Sequence, residues 1–178
     1  MKRGFKIVSQ AQDLGLELPK RATKNAAGYD FASSVDMTLP SIWKIGFLNA
    51  LKVIFTAKNL SETDAETARK VLQPYLIPTG IKAYMQENEV LIIANRSSNP
   101  LKRGMIIPNG IGVIDADYYD NENNEGEIFV QMMNFGIQDR QIKKGERIGQ
   151  GIFMPFLLAD NDEEPKATRT GGFGSSGK

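Results

Sequence analysis

The sequence contains neither cysteine nor histidine among its 178 residues. The chain therefore has no disulfide, no thiolate or imidazole metal ligand, no cysteine nucleophile and no histidine base. Its chemistry must rest on carboxylates, hydroxyls, amides, lysine and arginine. The missing cysteines fit a reducing compartment, and residues 1–10 lack the apolar core of a signal peptide, so we expect a cytoplasmic protein.

An excess of charge of one sign and a long apolar run are also missing. The 22 basic and 21 acidic residues give a formal net charge of +1, so we expect no direct binding of the surface to nucleic acid. The most apolar stretch, residues 42–57, includes Lys44 and Lys52 and is shorter than the roughly 20 residues that span a bilayer. We therefore expect no membrane span, and a polyanionic ligand would have to be bound locally.

Short segments rich in β-branched and aromatic residues, divided by proline and glycine, predict a mainly β chain of one domain. The predicted strands cover residues 5–8, 35–39, 80–85, 89–94, 105–107, 111–114, 127–134 and 148–156. Many short strands of this kind favour a sandwich or a barrel. Asn109-Gly110 is a hairpin-type turn signal, and we expect the strands on either side of the polar loop 120–126 to pair.

One region departs from the β pattern. Ser61 is a candidate helix cap, followed three residues later by Asp64, and Pro74 would end the helix. The preceding residues 42–55 are compatible with a second apolar helix or with a strand. The sequence thus predicts a mostly helical insertion over residues 41–75.

The C-terminal residues change character again. An acidic, proline-containing linker at residues 160–165 leads into the glycine- and serine-rich sequence RTGGFGSSGK, residues 169–178. Such a composition cannot bury a core, so residues 160–178 are predicted to form a flexible arm. A plain disordered end or an expression remnant would have the same composition, but Arg169 and Phe173 indicate a binding role.

Five separated segments carry most of the functional information. They are AAGYD at 26–30, NRSS at 95–98, NGIGVIDADYYDNENNEGEI at 109–128, KGERIGQ at 144–150 and RTGGFGSSG from 169. Their order and content resemble the five motifs of the trimeric dUTP pyrophosphatase (dUTPase) family, over essentially the whole chain except the insertion. The resemblance implies a single dUTPase-like domain over residues 1–178, a jelly-roll-like β-barrel or sandwich subunit, and a homotrimer with shared active sites.

The same resemblance implies a Mg²⁺-dependent dUTP diphosphatase that converts dUTP to dUMP and pyrophosphate. Such a reaction keeps uracil out of DNA and supplies dUMP for dTMP synthesis. Asp115 matches the catalytic aspartate of the family, which activates the water that attacks the α-phosphate, and a carboxylate is suited to that task. The structural alternative is an aspartate that only begins the turn towards Asp120.

Further positions match family residues that contact the nucleoside. Tyr118 matches the aromatic residue on which the deoxyribose packs, leaving no room for a 2′-hydroxyl; a core or interface tyrosine is the alternative. Asn109 matches a position near the uracil, where a simple Asn-Gly turn is the alternative. In the arm, Arg169 resembles the arginine that reaches the γ-phosphate, and Phe173 the aromatic residue that stacks over the base from a neighbouring subunit.

Phosphate binding falls to dispersed groups, because a triphosphate needs many donors. Arg96, Ser97 and Ser98 match the second motif, and Gln150 matches the phosphate-contacting amide of the fourth. Asp30 matches the first-motif aspartate, which acts on the metal indirectly, through water. Since Mg²⁺ keeps waters and takes substrate phosphates, no all-protein cage is expected. Arg147, also in the fourth motif, is interpreted as a structural ion-pair partner.

The chain departs from the family pattern at four places. RTGGFG has one residue fewer between the arginine and the double glycine than many members have, and residues 120–125 are extra in the third motif. The fourth motif has Glu146 and Gly149 where aspartate and alanine are usual. The insertion at 41–75 is either an addition to the packing or a surface for a second protein partner.

Two other functions are compatible with parts of the pattern. A dCTP deaminase shares the fold and the RSS-type segment, but Tyr118 behind Asp115 and Asp117 favours the pyrophosphatase. A dUTP-sensing module would keep the site while acting on a protein partner through the insertion. The sequence retains every residue that we regard as essential, which favours catalysis.

Overall fold

The computed structural model describes residues 2–44 and 73–162, together with positions 51, 54, 55 and 66. Its strands are β1 (Gly4–Ile7), β2 (Lys20–Arg21), β3 (Tyr29–Ala32), β4 (Met37–Leu39), β5 (Tyr75–Pro78), β6 (Ile81–Tyr84), β7 (Glu89–Ala94), β8 (Met105–Ile106), β9 (Ile111–Asp115), β10 (Phe129–Asn134), β11 (Arg140–Ile142) and β12 (Arg147–Pro155). Short helical turns lie at Ser9–Leu14, Asn99–Arg103 and Ala116–Tyr118.

The strands form open, antiparallel sheets. The largest has the order β2-β3-β12-β7-β9, and a second has the order β5-β10-β8. Two strand pairs, β1-β6 and β4-β11, complete the described sheets. The mainly β expectation is confirmed. Of the two expected alternatives, a barrel or a sandwich, the described residues form no closed barrel, because none of these sheets returns to pair with its own first strand.

Alternation of side chains along the strands builds the core. In β7, Leu91 and Ile93 are buried while their neighbours are half-buried, which is the period of a strand with one face on the core. Phe31 in β3 is fully buried, and the ring of Phe5 meets it edge to face at 5.4 Å. The central strand β12 contacts this core from between β3 and β7.

Each of the eight segments predicted to be strands overlaps an observed strand, and the four strands β2, β3, β5 and β11 were not predicted. The expected pairing across the loop 120–126 is wrong. β9 pairs with β7, whereas β10 pairs with β5 and β8. The helical turn Ala116–Tyr118 takes the chain out of the first sheet, so the loop crosses between sheets. The Asn109-Gly110 turn also connects two sheets, closed by a hydrogen bond from the Gly110 amide to the Ile107 carbonyl of 3.0 Å.

The described residues do not support the mostly helical insertion over 41–75. At its start, Ser41 bridges Asn134 and its amide donates to the Asp139 carboxylate at 3.0 Å, which ties it to the β domain. At its end, Tyr75 already belongs to β5. Positions 51, 54, 55 and 66 are helical, and the other residues between 45 and 72 lie outside the described residues.

The two buried glycines of β12 should respond oppositely to alanine. A Cβ at Gly149 would lie no closer than 3.5 Å to its neighbours, which fits the alanine usual in the family, whereas a Cβ at Gly151 would lie 2.6 Å from the buried Phe31 ring. We expect Gly149→Ala to stabilise the fold by about 0.5–1 kcal/mol through the unfolded chain. Gly151→Ala should destabilise it by about 1–3 kcal/mol through overpacking.

Thermal unfolding of both variants beside the parent chain, at equal protein concentration, measures this difference. Each variant is the matched control of the other, because both add one methyl group to the same strand. A Gly149→Ala variant that unfolds as early as Gly151→Ala would contradict the packing described for β12.

Candidate active site

The first and fourth motifs meet on neighbouring strands. The register of β12 places Gln150 opposite Asp30 of β3 on one side and Ala94 of β7 on the other. The Gln150 amide donates to the Asn95 carbonyl at 3.2 Å. A Cβ at Gly28 would lie 2.8 Å from Gln150 Oε1, so the glycine of the first motif makes room for this amide.

Asp30 lies between two arginines. Its Oδ1 accepts a hydrogen bond from Arg96 Nε at 3.0 Å, and its Oδ2 pairs with Arg147 Nη1 at 3.0 Å. The Asp30 side chain is only 16% exposed, so both charge-assisted contacts are partly shielded from water. The structural ion-pair role expected for Arg147 is therefore observed, and Asp30 holds the guanidinium of Arg96, a residue of the second motif.

The second motif is positioned by a residue that the sequence analysis missed. Asn99 is fully buried, and its amide donates to Asn95 Oδ1 and to the Ile148 carbonyl, both at 2.8 Å. It thereby ties the NRSS segment to β12, leaving Ser97 exposed and Ser98 half-buried at the start of the helical turn. In the sequence, the position of Asn99 directly after the second motif was the one sign of this role.

Asp115 is the last residue of β9, opposite Val90 of β7. It lines a pocket of about 560 Å³, which is within the size range of small-molecule sites. The other residues that line this pocket are Met85, Glu87, Ala116, Asp117 and Phe156. The residues proposed to contact phosphate or metal, namely Asp30, Arg96, Ser97, Ser98 and Gln150, are not among them.

Tyr118 is buried, with 4% of its surface exposed. Its hydroxyl donates to the Glu127 carbonyl at 2.8 Å and accepts from Asn124 Nδ2 at 2.9 Å. The hydroxyl therefore faces the protein, and only a small part of the residue reaches the surface. These contacts show the core packing that was the structural alternative for this residue, and the proposed sugar contact stays a prediction.

Asn109 is exposed and belongs to the turn in front of β9. Gly110, which follows it, has a φ of +74°, a conformation that glycine adopts without steric cost. The turn thus matches the structural interpretation of the Asn-Gly pair, and contact with a base stays a prediction. Arg169 and Phe173 lie outside the described residues, as does most of the expected arm.

The site residues form two groups in one chain. Gln150 lies opposite Ala94 at one end of β7 and Asp115 opposite Val90 at the other, about 13 Å apart along the strand at about 3.3 Å per residue. β7 also lies between β12 and β9, which adds two inter-strand spacings. A single chain therefore places the predicted base and the predicted phosphate donors on separate surfaces.

The described residues contain no group of three acidic side chains that could hold a metal ion. Asp30, the aspartate predicted to act on Mg²⁺ through water, has both carboxylate oxygens bonded to arginines, and its role at a metal stays a prediction. In the part of the chain that the structure describes, no helix has the length and apolar character needed to cross a membrane.

Three comparisons with known proteins identify the family. The dUTPase family model matches residues 59–177. The deoxyuridine 5′-triphosphate nucleotidohydrolase of Lactococcus lactis is 45% identical over 176 residues, 98% of this chain and 97% of that protein. The chain belongs to the dUTPase family. The family membership agrees with the hydrolase that the five motifs indicated.

Two other relatives agree with this membership. The corresponding Desulfitobacterium hafniense enzyme is 32% identical over 178 residues, covering 97% of this chain and 95% of its own length. The crystal structure of dUTPase from Streptococcus mutans matches the fold of this dUTPase-family chain with a TM-score of 0.68 at 40% identity. That match covers 89% of this chain and 99% of the other.

Proposed function

We propose that this chain hydrolyses dUTP to dUMP and pyrophosphate in a homotrimer whose active sites are shared between subunits. The observation that carries the proposal is the separation of Asp115 from Gln150 along β7, in a chain that contains all five family motifs. A neighbouring subunit brings its own Asp115 pocket to the phosphate-binding surface. In an oligomer with closed symmetry, each subunit would contribute the same residues to a neighbouring site.

Asp115 acts as the general base in this proposal. Its carboxylate orients a water molecule and accepts the proton as the water oxygen attacks the α-phosphorus, and the bond from that phosphorus to the bridging oxygen breaks. Pyrophosphate then leaves with the bridging oxygen. Because the chain contains no histidine, a carboxylate is the natural proton acceptor.

Donors on the other surface hold the triphosphate. Arg96 supplies a guanidinium, Ser97 and Ser98 supply hydroxyl and backbone donors, and Gln150 supplies an amide. A Mg²⁺ ion bound to the phosphates would offset the charge that develops on them. Asp30 would reach the ion through water, since both of its oxygens already accept from arginines.

The nucleoside is selected by residues of the third motif. The Tyr118 ring limits the space at C2′ of the sugar, and Asn109 lies near the uracil. Arg169 and Phe173 complete the site from a neighbouring subunit, where a closing segment excludes water from the reaction. The matched part of the family model extends to residue 177 and so includes both. The product dUMP supplies dTMP synthesis, and removal of dUTP keeps uracil out of DNA.

Release of pyrophosphate from dUTP, UTP, dCTP and dTTP, with Mg²⁺ or with a chelator, tests this function. We expect rapid release from dUTP alone and its loss with the chelator. The same assay on a chain that ends at residue 168 measures what Arg169 and Phe173 contribute. Bound dUTP without any pyrophosphate release would contradict the proposed activity and favour a dUTP-sensing protein.

A further inference from the structure

The extra residues 120–125 of the third motif, together with Gly126, form a compact loop, residues 120–126, that follows Tyr118 and Tyr119. Asn121 donates from its side chain to the Tyr118 carbonyl at 2.9 Å and to Asn124 Oδ1 at 2.8 Å. Its own Oδ1 accepts from the backbone amides of Asn123 and Asn124 at 3.1 and 3.2 Å. Asn121 thus closes the 120–126 loop on itself and on the backbone of Tyr118.

Asn124 connects this loop to the tyrosine ring. Its Nδ2 donates to Tyr118 Oη at 2.9 Å and to the Glu127 carbonyl at 3.3 Å, and the hydroxyl donates to that same carbonyl at 2.8 Å. Its Oδ1 accepts from the Gly126 amide at 3.2 Å. One side chain therefore joins the loop backbone, the phenol hydroxyl and the residue that leads into β10.

The close approach of the loop to Tyr118 leaves little freedom for rearrangement. Gly126 has a φ of +79°, and a Cβ there would lie 2.5 Å from the Tyr118 carbonyl oxygen. Asp120 and Glu125, at the ends of the loop, also have positive φ, 55° and 57°. Such strain persists only where surrounding contacts fix the conformation.

Ionic contacts fix the outer side of the loop. The Lys82 ammonium, whose side chain is 11% exposed, pairs with Asp120 and with Glu125 Oε2, the latter at 3.1 Å. Glu125 also accepts from the hydroxyl and the amide of Ser9. The hydrogen bonds from Ser9 and the Lys82 contact lower the pKa of Glu125 from 4.5 to about 2. This anchor is therefore complete above pH 4.5 and is lost only as the pH falls towards 2.

We propose that Asn124 is a positioning residue for sugar selection: it holds the Tyr118 ring at a fixed depth so that deoxyribose fits against it and ribose does not. This inference rests on the proposed function. The extra residues 120–125 thereby acquire a role, as the support of the residue that selects the sugar.

The physical argument depends on which part of Tyr118 can reach a sugar. The hydrogen bonds to the Glu127 carbonyl and from Asn124 turn the hydroxyl inward, so the ring and not the hydroxyl would meet a sugar. Exclusion must then be steric. The Tyr118 ring excludes the 2′-oxygen of ribose only if the ring keeps its position. The hydrogen bond from Asn124 opposes a shift of the ring.

The test compares the ratio of kcat/KM for dUTP to that for UTP in the trimer. We expect Asn124→Ala to lower this ratio by about tenfold, the effect of losing roughly one buried hydrogen bond at the discriminating group. Asn123→Ala is the matched control, because it is the same substitution one position earlier, on an exposed residue whose backbone alone takes part in the network described. The control should keep the parent ratio.

A second substitution removes the same bond from the other side. Tyr118→Phe keeps the ring and deletes the hydroxyl, so it should also lower the ratio, and adding Asn124→Ala to it should lower the ratio little further. Independent, multiplying effects of the two substitutions would overturn the proposal. So would an unchanged ratio in Asn124→Ala, or in Tyr118→Phe if the alanine variant does not fold.

The same measurements separate this inference from the proposed function. A parent chain that releases no pyrophosphate from dUTP, or that hydrolyses UTP equally well, contradicts the proposed function and the inference with it. A parent chain that prefers dUTP, together with an Asn124→Ala variant of equal preference but lower thermal stability, contradicts the inference alone and leaves Asn124 a structural residue.

Discussion

Replacing Asp115 with asparagine is expected to lower dUTP turnover by about 10²–10⁴-fold, the usual contribution of a positioned general base. The asparagine keeps the shape of the side chain at the end of β9 but cannot accept the proton of the attacking water. Binding should change little, because the phosphate donors lie on a different surface of the chain. Single-turnover pyrophosphate release measures the chemical step, and equilibrium dialysis of a non-hydrolysable dUTP analogue measures binding.

Glu87→Gln provides the matched control for charge. Glu87 lines the same pocket as Asp115, so the substitution also removes one negative charge there. It should retain most of the turnover, since in the proposed mechanism only Asp115 handles the proton. Turnover near that of the parent in Asp115→Asn, or an equal loss in both variants, would remove Asp115 from the role of base.

Local patterns predicted much of the fold. The short apolar run in Glu89–Ala94, rich in β-branched residues, located β7 at the bounds that the structure shows. β2 was missed, since Lys20-Arg21 is an exposed pair without alternation. β11 was missed as well, because Arg140-Gln141-Ile142 has a single apolar residue.

The pairing of the strands was harder to predict from the sequence than their positions. The loop 120–126 looked like the connection of two paired strands, yet β9 and β10 belong to different sheets. The choice of partner depends on residues far away in the sequence, such as Ile77, which lies opposite Val130 in the β5-β10 pair. The residues near a strand in the sequence do not specify its pairing partner. Turn residues specify only that the chain changes direction.

In the candidate site, too, local sequence patterns predicted some features, whereas contacts between distant residues could not be predicted. Motif order selected Asp30, Arg96, Gln150 and Asp115 as candidates, and their roles stay predictions. The structure adds the hydrogen bonds of the first three and the pocket that Asp115 lines. Asn99 could not be found in advance, because its buried amide acquires its role from the distant Ile148 carbonyl. The supporting bond from Asn124 to Tyr118 was hidden for a different reason. It lies within a polar loop whose composition alone indicates only a turn.

Mixing two inactive variants should restore activity if the site is shared between subunits. Asp115→Asn removes the base, and Gln150→Glu, which has the same size, places a negative charge on the phosphate-binding surface. Each variant alone should be nearly inactive. After unfolding and refolding together in equal amounts, the mixture should regain about a quarter of the parent activity, because random assembly leaves about one site in four with both residues intact.

The control combines the same two preparations in their native state without refolding, and this mixture should remain inactive. Recovery after refolding requires that Asp115 of one chain acts on phosphates held by Gln150 of another. A site completed within one chain would gain nothing from mixing, because every chain in the mixture carries one of the two defects. An inactive mixture of correctly assembled trimers would therefore contradict the shared site, even if the parent enzyme hydrolyses dUTP efficiently.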